Sequence, residues 1–271
     1  MPATVKDIVA ALEAAAPLAL AEPWDSVGLQ IGDPAAPVTA VLLAVDATLA
    51  VVRQASATGA QLLVTHHPLL FAPLASILAG DPVSEVAAEL IRRGIAFYAA
   101  HTNLDVTPRI GTAATLAALL EMRAPQVLRC GGAGATGPDG EPTRAGRVGE
   151  LLEPLTAQAF AARVCRQLAV GSVRLIGDPS AEIRRFAAIP GAGGDGLAEA
   201  ANAGAQAVVT GELKHHELLE ARARGLVVVL AGHRQTERPA LAPLQRYLQG
   251  TFPDLTVTVA SEDWPEVVVT G

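Results

Sequence analysis

The sequence predicts an α/β fold built from two related halves. Three observations lead there. Apolar runs of strand length alternate with helical stretches along the 271 residues, the mark of strands layered against helices. One stretch recurs: Gly59-Ala60-Gln61-Leu62-Leu63-Val64-Thr65 matches Gly204-Ala205-Gln206-Ala207-Val208-Val209-Thr210 at five of seven positions. The six histidines fall in three clusters, His66/His67, His101, and His215/His216 with His233.

Thr4-Val5-Lys6-Asp7 resembles a capping box, and Ile8, Val9, Leu12 and Ala16 then share a face until Pro17, so a helix opens the chain. Trp24 to Gly32 reads as a turn and a strand-like segment, and Val41 to Val45 as a buried strand closing on Asp46. A helix over 48–58 and a strand over 61–65 follow. Thr65-His66-His67-Pro68-Leu69 then stands at a strand's C-terminal end, where α/β sheets place their ligands. Pro68 has no amide hydrogen and biases His67 toward extended backbone. A helix over 83–93, a strand over 95–99 and a helix over 111–123 complete the first half.

The glycine-rich stretch 131–140 is a candidate boundary. It suggests domains 1–125 and 126–271, with no large inserted domain. Beyond it come a strand at 148–151, a helix over 156–168, and strands near 172–176 and 183–189. A helix over 197–203, a strand over 207–210, a helix over 215–224 and a strand over 226–230 follow. A helix over 238–248 and strands at 255–259 and 267–269 end the chain. The repeat extends beyond its seven residues. Each copy continues with a helix, a glycine (Gly94, Gly225), an apolar strand, and a histidine followed four residues later by an acid: His101 with Asp105, His233 with Glu237. Two related α/β halves facing each other are expected.

Composition narrows the function. The chain is 51% hydrophobic but 3% aromatic, so its core is built from Ala, Val and Leu. A net charge of −7 argues against a nucleic-acid or anionic-membrane surface. No apolar run is long enough to span a bilayer. Lys6, Asp7 and Glu13 interrupt any secretory h-region. Cys130 and Cys165 share no motif, and a reducing cytoplasm is expected.

His66, His67, His101, Asp105, His233 and Glu237 all follow predicted strands. A lone histidine there is ordinarily a capped or solvent-touching side chain, but three clusters, two of them after repeated strands, point to metal. Imidazole and carboxylate without thiolate suit zinc, manganese, iron, cobalt or nickel. Six candidate ligands exceed one tetrahedral site and suit two ions sharing a carboxylate across a metal-binding cleft. Such a pair generates a nucleophile from water near neutral pH. His215, His216 and Lys214 fit the ligand set less well and are candidates to line the pocket.

Together with Ser26-Val27-Gly28-Leu29-Gln30, Thr210-Gly211-Glu212 and Gly232-His233-Arg234-Gln235-Thr236-Glu237, these motifs make the chain resemble the GTP cyclohydrolase 1 type 2 homologues, the NGG-interacting-factor-like dinuclear metal proteins. The resemblance covers nearly the whole chain. It implies that His66, Asp105 and Glu237 hold one ion and His67, His233 and Glu237 the other, with His101 a pocket acid or base. It also implies homohexameric rings. Many members carry a large domain between the halves; the interval from Asp105 to His233 is too short for one. The family name implies a metal-dependent hydrolase acting on a nucleotide. A non-catalytic metal-binding scaffold or regulatory protein is the alternative.

Gly191-Ala192-Gly193-Gly194-Asp195-Gly196 matches G-x-G-x-x-G between a strand and a helix. With Glu212 placed for a ribose, it admits a dinucleotide reading. A phosphate cradle at a helix N-terminus and a tight turn with no ligand are the other readings.

Overall fold

The computed structural model describes residues 2–130 and 145–261; the glycine-rich stretch 131–140 and the expected strand at 267–269 lie outside them. The described residues form two compact units, 2–107 with 241–261, and 108–130 with 145–240.

The first unit runs β1 (Ala3–Thr4), α1 (Val5–Ala15), β2 (Gly28–Ile31), β3 (Pro37–Val38), β4 (Ala40–Ala44), α2 (Leu49–Ala57), β5 (Leu62–Thr65), α3 (Pro82–Arg93), β6 (Ala96–Ala99) and α4 (Thr102–Asp105). The second contains α5 (Thr112–Leu119), β7 (Arg123–Arg129), β8 (Ala145–Thr156), α6 (Ala157–Gln167), β9 (Arg174–Ile176), β10 (Glu182–Ala192), α7 (Leu197–Asn202), β11 (Ala207–Glu212), α8 (His215–Ala223), β12 (Val227–Leu230) and α9 (His233–Glu237). The chain then returns to the first unit with α10 (Leu241–Thr251) and β13 (Thr256–Val259).

The capping box of α1 forms as expected: the Asp7 amide donates to Thr4 Oγ1, and the Asp7 carboxylate accepts from the Thr4 amide at 2.8 Å. Ile8 and Leu12 on its inner face are buried. The five-stranded sheet has the order β13-β4-β5-β6-β2. Its first four strands are parallel, and β2 is antiparallel to β6. Strands β5 and β6 are buried on both faces, which is why they read as unbroken apolar runs rather than alternating ones. Asp81 caps α3, Pro82 sits at its first position, and Gly94 closes it at φ 63°, a left-handed conformation suited to glycine. Because β5 and β6 are parallel neighbours, their C-terminal ends bring His66, His67 and His101 to one sheet edge.

In the second unit the order is β7-β8-β10-β11-β12-β9. Strands β10, β11 and β12 are parallel, while β7, β8 and β9 pair antiparallel. Side chains of β10 alternate faces. Phe186 and Ala188 join Phe160 and Val164 on one side; Ala187 and Ile189 join Leu197 and Leu226 on the other.

Two expectations shift. The helix expected over 111–123 ends at Leu119, and β7 follows. Its strand signal is weak because Arg123–Arg129 is an exposed edge strand containing Pro125, a residue confined to edges and bulges. The expected cut at 125/126 falls inside this strand. The helix expected over 238–248 lies at 241–251, because residues 233–237 form their own helical turn. No helix among the described residues is long and apolar enough to cross a membrane.

Candidate metal-ligating clusters

In the first unit, His66, His67 and His101 meet as a triangle of imidazoles with ring centroids 5.1, 5.1 and 5.3 Å apart. One nitrogen from each lies within 4.8 Å of the others, close enough to hold an ion together. His66 is buried, and its Nε2 comes within 3.5 Å of Asp105 Oδ1.

The other ring nitrogen of each imidazole is engaged. His66 Nδ1 lies 2.9 Å from the Ala100 carbonyl, His67 Nδ1 2.7 Å from Asp46 Oδ1, and His101 Nδ1 2.9 Å from Asp25 Oδ1. A carbonyl or carboxylate oxygen only accepts, so each Nδ1 carries the proton and donates it. Anchoring Nδ1 fixes each ring and presents its Nε2, the arrangement that orients histidine ligands in metalloproteins.

Local sequence explains the rigidity. Thr65 Oγ1 donates to the His67 carbonyl at 2.6 Å, tightening the turn before Pro68. Asn103 Oδ1 accepts from the His101 amide, and its Nδ2 donates to the Ala16 carbonyl, so a buried asparagine stitches α4 to the end of α1. Asp25 accepts from His101, from the Thr102 amide and hydroxyl, and from the Ser26 amide. Burial pushes its carboxyl up, but the hydrogen bonds from His101 and Thr102 outweigh that and hold it at about 2.

In the second unit, α9 carries His233 and Glu237 one turn apart, Nε2 to Oε1 at 3.0 Å. His233 Nδ1 lies 3.1 Å from Glu212 Oε1 at the end of β11. With an acceptor on each nitrogen, His233 is an imidazolium: the hydrogen bond to Glu237 outweighs burial and, with Glu212, raises it to about 9. A divalent ion would take the place of the Nε2 proton, so this donor set fits a metal.

The glycine-rich loop belongs to this cluster. A Cβ on Gly191 would lie 2.4 Å from Glu237 Oε1 and 3.1 Å from His233 Nε2. Thr236 Oγ1 accepts from the Gly191 amide, and Thr210 Oγ1 donates to the Gly191 carbonyl. The side chains that Gly193, Gly194 and Gly196 lack would collide with Thr210, Glu217 and Ile189. These glycines permit close packing against protein atoms. The adjoining cavity of about 420 Å³ is lined by Asp195, Glu212 and Glu217 with Lys214. Three carboxylates against one ammonium oppose a phosphate there, so neither the dinucleotide nor the phosphate reading gains support. His215 and His216 lie exposed on α8, and neither joins the His233–Glu237 pair.

Sequence reasoning gave no supporting role to Asp25 or Asp46, and gave Glu212 a role only within the dinucleotide reading, as a ribose contact. Asp46 follows β4 and Glu212 ends β11. A carboxylate at a parallel strand's C-terminal end was therefore the available signal for both.

A family model described as Duf34/NIF3 (NGG1p interacting factor 3) matches residues 3–265. A Streptomyces coelicolor protein named GTP cyclohydrolase 1 type 2 homolog is 38% identical over 239 residues, 87% of this chain and 82% of the relative. A Clostridium acetobutylicum protein of the same name is 30% identical over 252 residues, 93% of this chain and 92% of the relative. Among solved structures, a Staphylococcus aureus protein aligns with a TM-score of 0.88 at 27% identity, covering 99% of this chain and all of its own. A Bacillus cereus protein related to NIF3 aligns at 0.89 and 24% identity, covering 99% of both chains. The sequence motifs, the α/β fold and these matches agree, and the chain belongs to the Duf34/NIF3 family.

Proposed function

We propose that this is a dinuclear metal-binding protein working as a metal-dependent hydrolase. His66, His67, Asp105, His233 and Glu237 would hold the ions. The observation that carries this reading is the orientation of the imidazoles. His66, His67 and His101 in the first unit and His233 in the second each engage Nδ1 with a fixed oxygen acceptor, which fixes the ring and keeps Nε2 as the nitrogen for a metal. Zinc, manganese, iron, cobalt and nickel all suit these donors. When bound, such ions supply Lewis acidity and an activated water.

The chain's own groups supply the rest. Asp25 holds the proton on His101 Nδ1, so His101 Nε2 takes or returns a proton beside the ligands. Gly191 leaves the space that Glu237 Oε1 occupies. The name shared by the relatives makes a nucleotide the first substrate class to try. Two related halves facing a cleft, a homohexameric ring and a cytoplasmic setting belong to the same reading. The recurring strand, histidine and i+4 acid support the two halves, the family resemblance the ring, and two cysteines that share no motif the setting.

Elemental analysis of the purified protein, beside turnover assays on GTP, phosphoesters and cyclic amides, tests the proposal. Two ions per chain, lost together with turnover in His66→Ala and Glu237→Ala, is the expected result. Two ions with no turnover on any of these substrates would move the reading to a metal-binding scaffold. No bound metal would end both.

A further inference from the structure

Trp24 and Phe71 are 56% and 53% exposed, the two aromatic side chains among the large exposed hydrophobics of the described residues. In a chain with 3% aromatics, both converge on one group. The Trp24 ring lies 6.1 Å from the His101 imidazole at 75°, and the Phe71 ring 6.0 Å from it at 88°. Both meet the imidazole at steep angles, edge to face rather than stacked parallel on it, and more than half of each side chain is open to solvent.

The backbone that carries them is braced. Asp25, next to Trp24, is tied to His101 and Thr102. Gln30 joins the two aromatic-bearing segments. Its Nε2 donates to the Ser26 and Leu70 carbonyls, and its Oε1 accepts from the Leu69 and Leu70 amides at 3.1 and 2.9 Å. A polar strut thus fixes the stretch after Trp24 and the stretch before Phe71, while the rings themselves stay in water.

We propose that Trp24 and Phe71 form a stacking subsite for a planar heteroaromatic ring, presented to His101. Stacking on an exposed aromatic face suits any ring with a π surface, and His101 Nε2 then meets the polar edge of a heterocycle. The proposal deepens the hydrolase reading, on which it rests only in taking His101 as the acid–base group.

Calorimetric titration of the full-length, metal-loaded protein with guanosine 5′-monophosphate, adenosine 5′-monophosphate and ribose 5-phosphate is the test. Both nucleotides should bind at least about fivefold tighter than ribose 5-phosphate, as expected for one stacked base. Trp24→Leu and Phe71→Leu should each weaken nucleotide binding on the order of 5- to 150-fold and leave ribose 5-phosphate unchanged. Trp24→Phe should restore most of the loss. Both positions are exposed, so the variants should unfold at the wild-type temperature.

Equal affinity for all three probes, no binding of either nucleotide, or full nucleotide affinity in the double variant would each overturn the subsite. Metal content separates this from the broader reading. Loss of nucleotide binding with both ions retained supports the subsite. Nucleotide stacking in a protein that holds no metal would sink the dinuclear hydrolase and leave the subsite standing.

Discussion

Asp25 and His101, 76 residues apart, are joined by a 2.9 Å hydrogen bond from imidazole Nδ1 to a carboxylate whose side chain is fully buried. The same carboxylate accepts from Ser26 on one oxygen and twice from Thr102 on the other. Asparagine cannot replace it, because its NH₂ would face one of these two sets of donors. Asp25→Asn should therefore lower turnover or metal affinity by about 10- to 100-fold, read by steady-state kinetics and competition with a metallochromic chelator. Acid stability should change too. The folded carboxyl sits at about 2 against an ordinary 3.8. Its contribution, about 2 kcal/mol, is fully present above pH 4 and lost as pH falls through 2. Wild type and Asp25→Asn should converge in stability over that window, and a constant difference down to pH 2 would contradict this account.

His233 is raised to about 9 in the metal-free protein, chiefly by its hydrogen bond to Glu237. Its ion pair therefore supports the metal-free fold below the ordinary value of 6.5 and is lost as pH climbs through 9. Metal binding runs the other way. A divalent ion must displace the Nε2 proton, so apparent affinity should fall about tenfold for each pH unit below 9. Competition titrations between pH 6.5 and 9, in buffers that report proton release, would show it. A flat profile would remove His233 from the ligands.

Gly191 and Gly225 both have positive φ, 66° and 72°, yet they should respond differently to alanine. A Cβ at Gly225 meets nothing within 4 Å, whereas at Gly191 it meets Glu237 Oε1 and His233 Nε2. Gly225→Ala should cost about 1 kcal/mol of backbone strain. Gly191→Ala should add about 1–3 kcal/mol of overpacking and reduce bound metal. Denaturant unfolding with metal analysis of both variants separates strain from space.

Gln30 satisfies two amides and two carbonyls from Ser26, Leu69 and Leu70. Gln30→Leu leaves all four without that side chain and should destabilise the protein by about 1–3 kcal/mol. Gln30→Glu keeps the acceptor but sets a carboxylate oxygen against the Ser26 and Leu70 carbonyls, so its unfolding midpoint in denaturant should also fall below wild type.

Local chemistry made much of this protein legible from its residues. The Thr4–Asp7 box, the glycine ending α3, the unbroken apolar runs of β5, β6 and β12, and the histidines after them are short-range signals. They act within one turn or one strand, so they survive in one dimension. The ligand candidates were visible for the same reason: His101 with Asp105 and His233 with Glu237 each lie on one helical turn. Tertiary structure decided what depends on distant partners. It carried β13 back to β4 in the first unit, placed Asp25, Asp46 and Glu212 behind three imidazoles, and showed the glycines of 191–196 packing against protein atoms. A carboxylate 21 or 76 residues away leaves no periodic trace in the chain, and a glycine does not announce which atom needs its missing side chain's space.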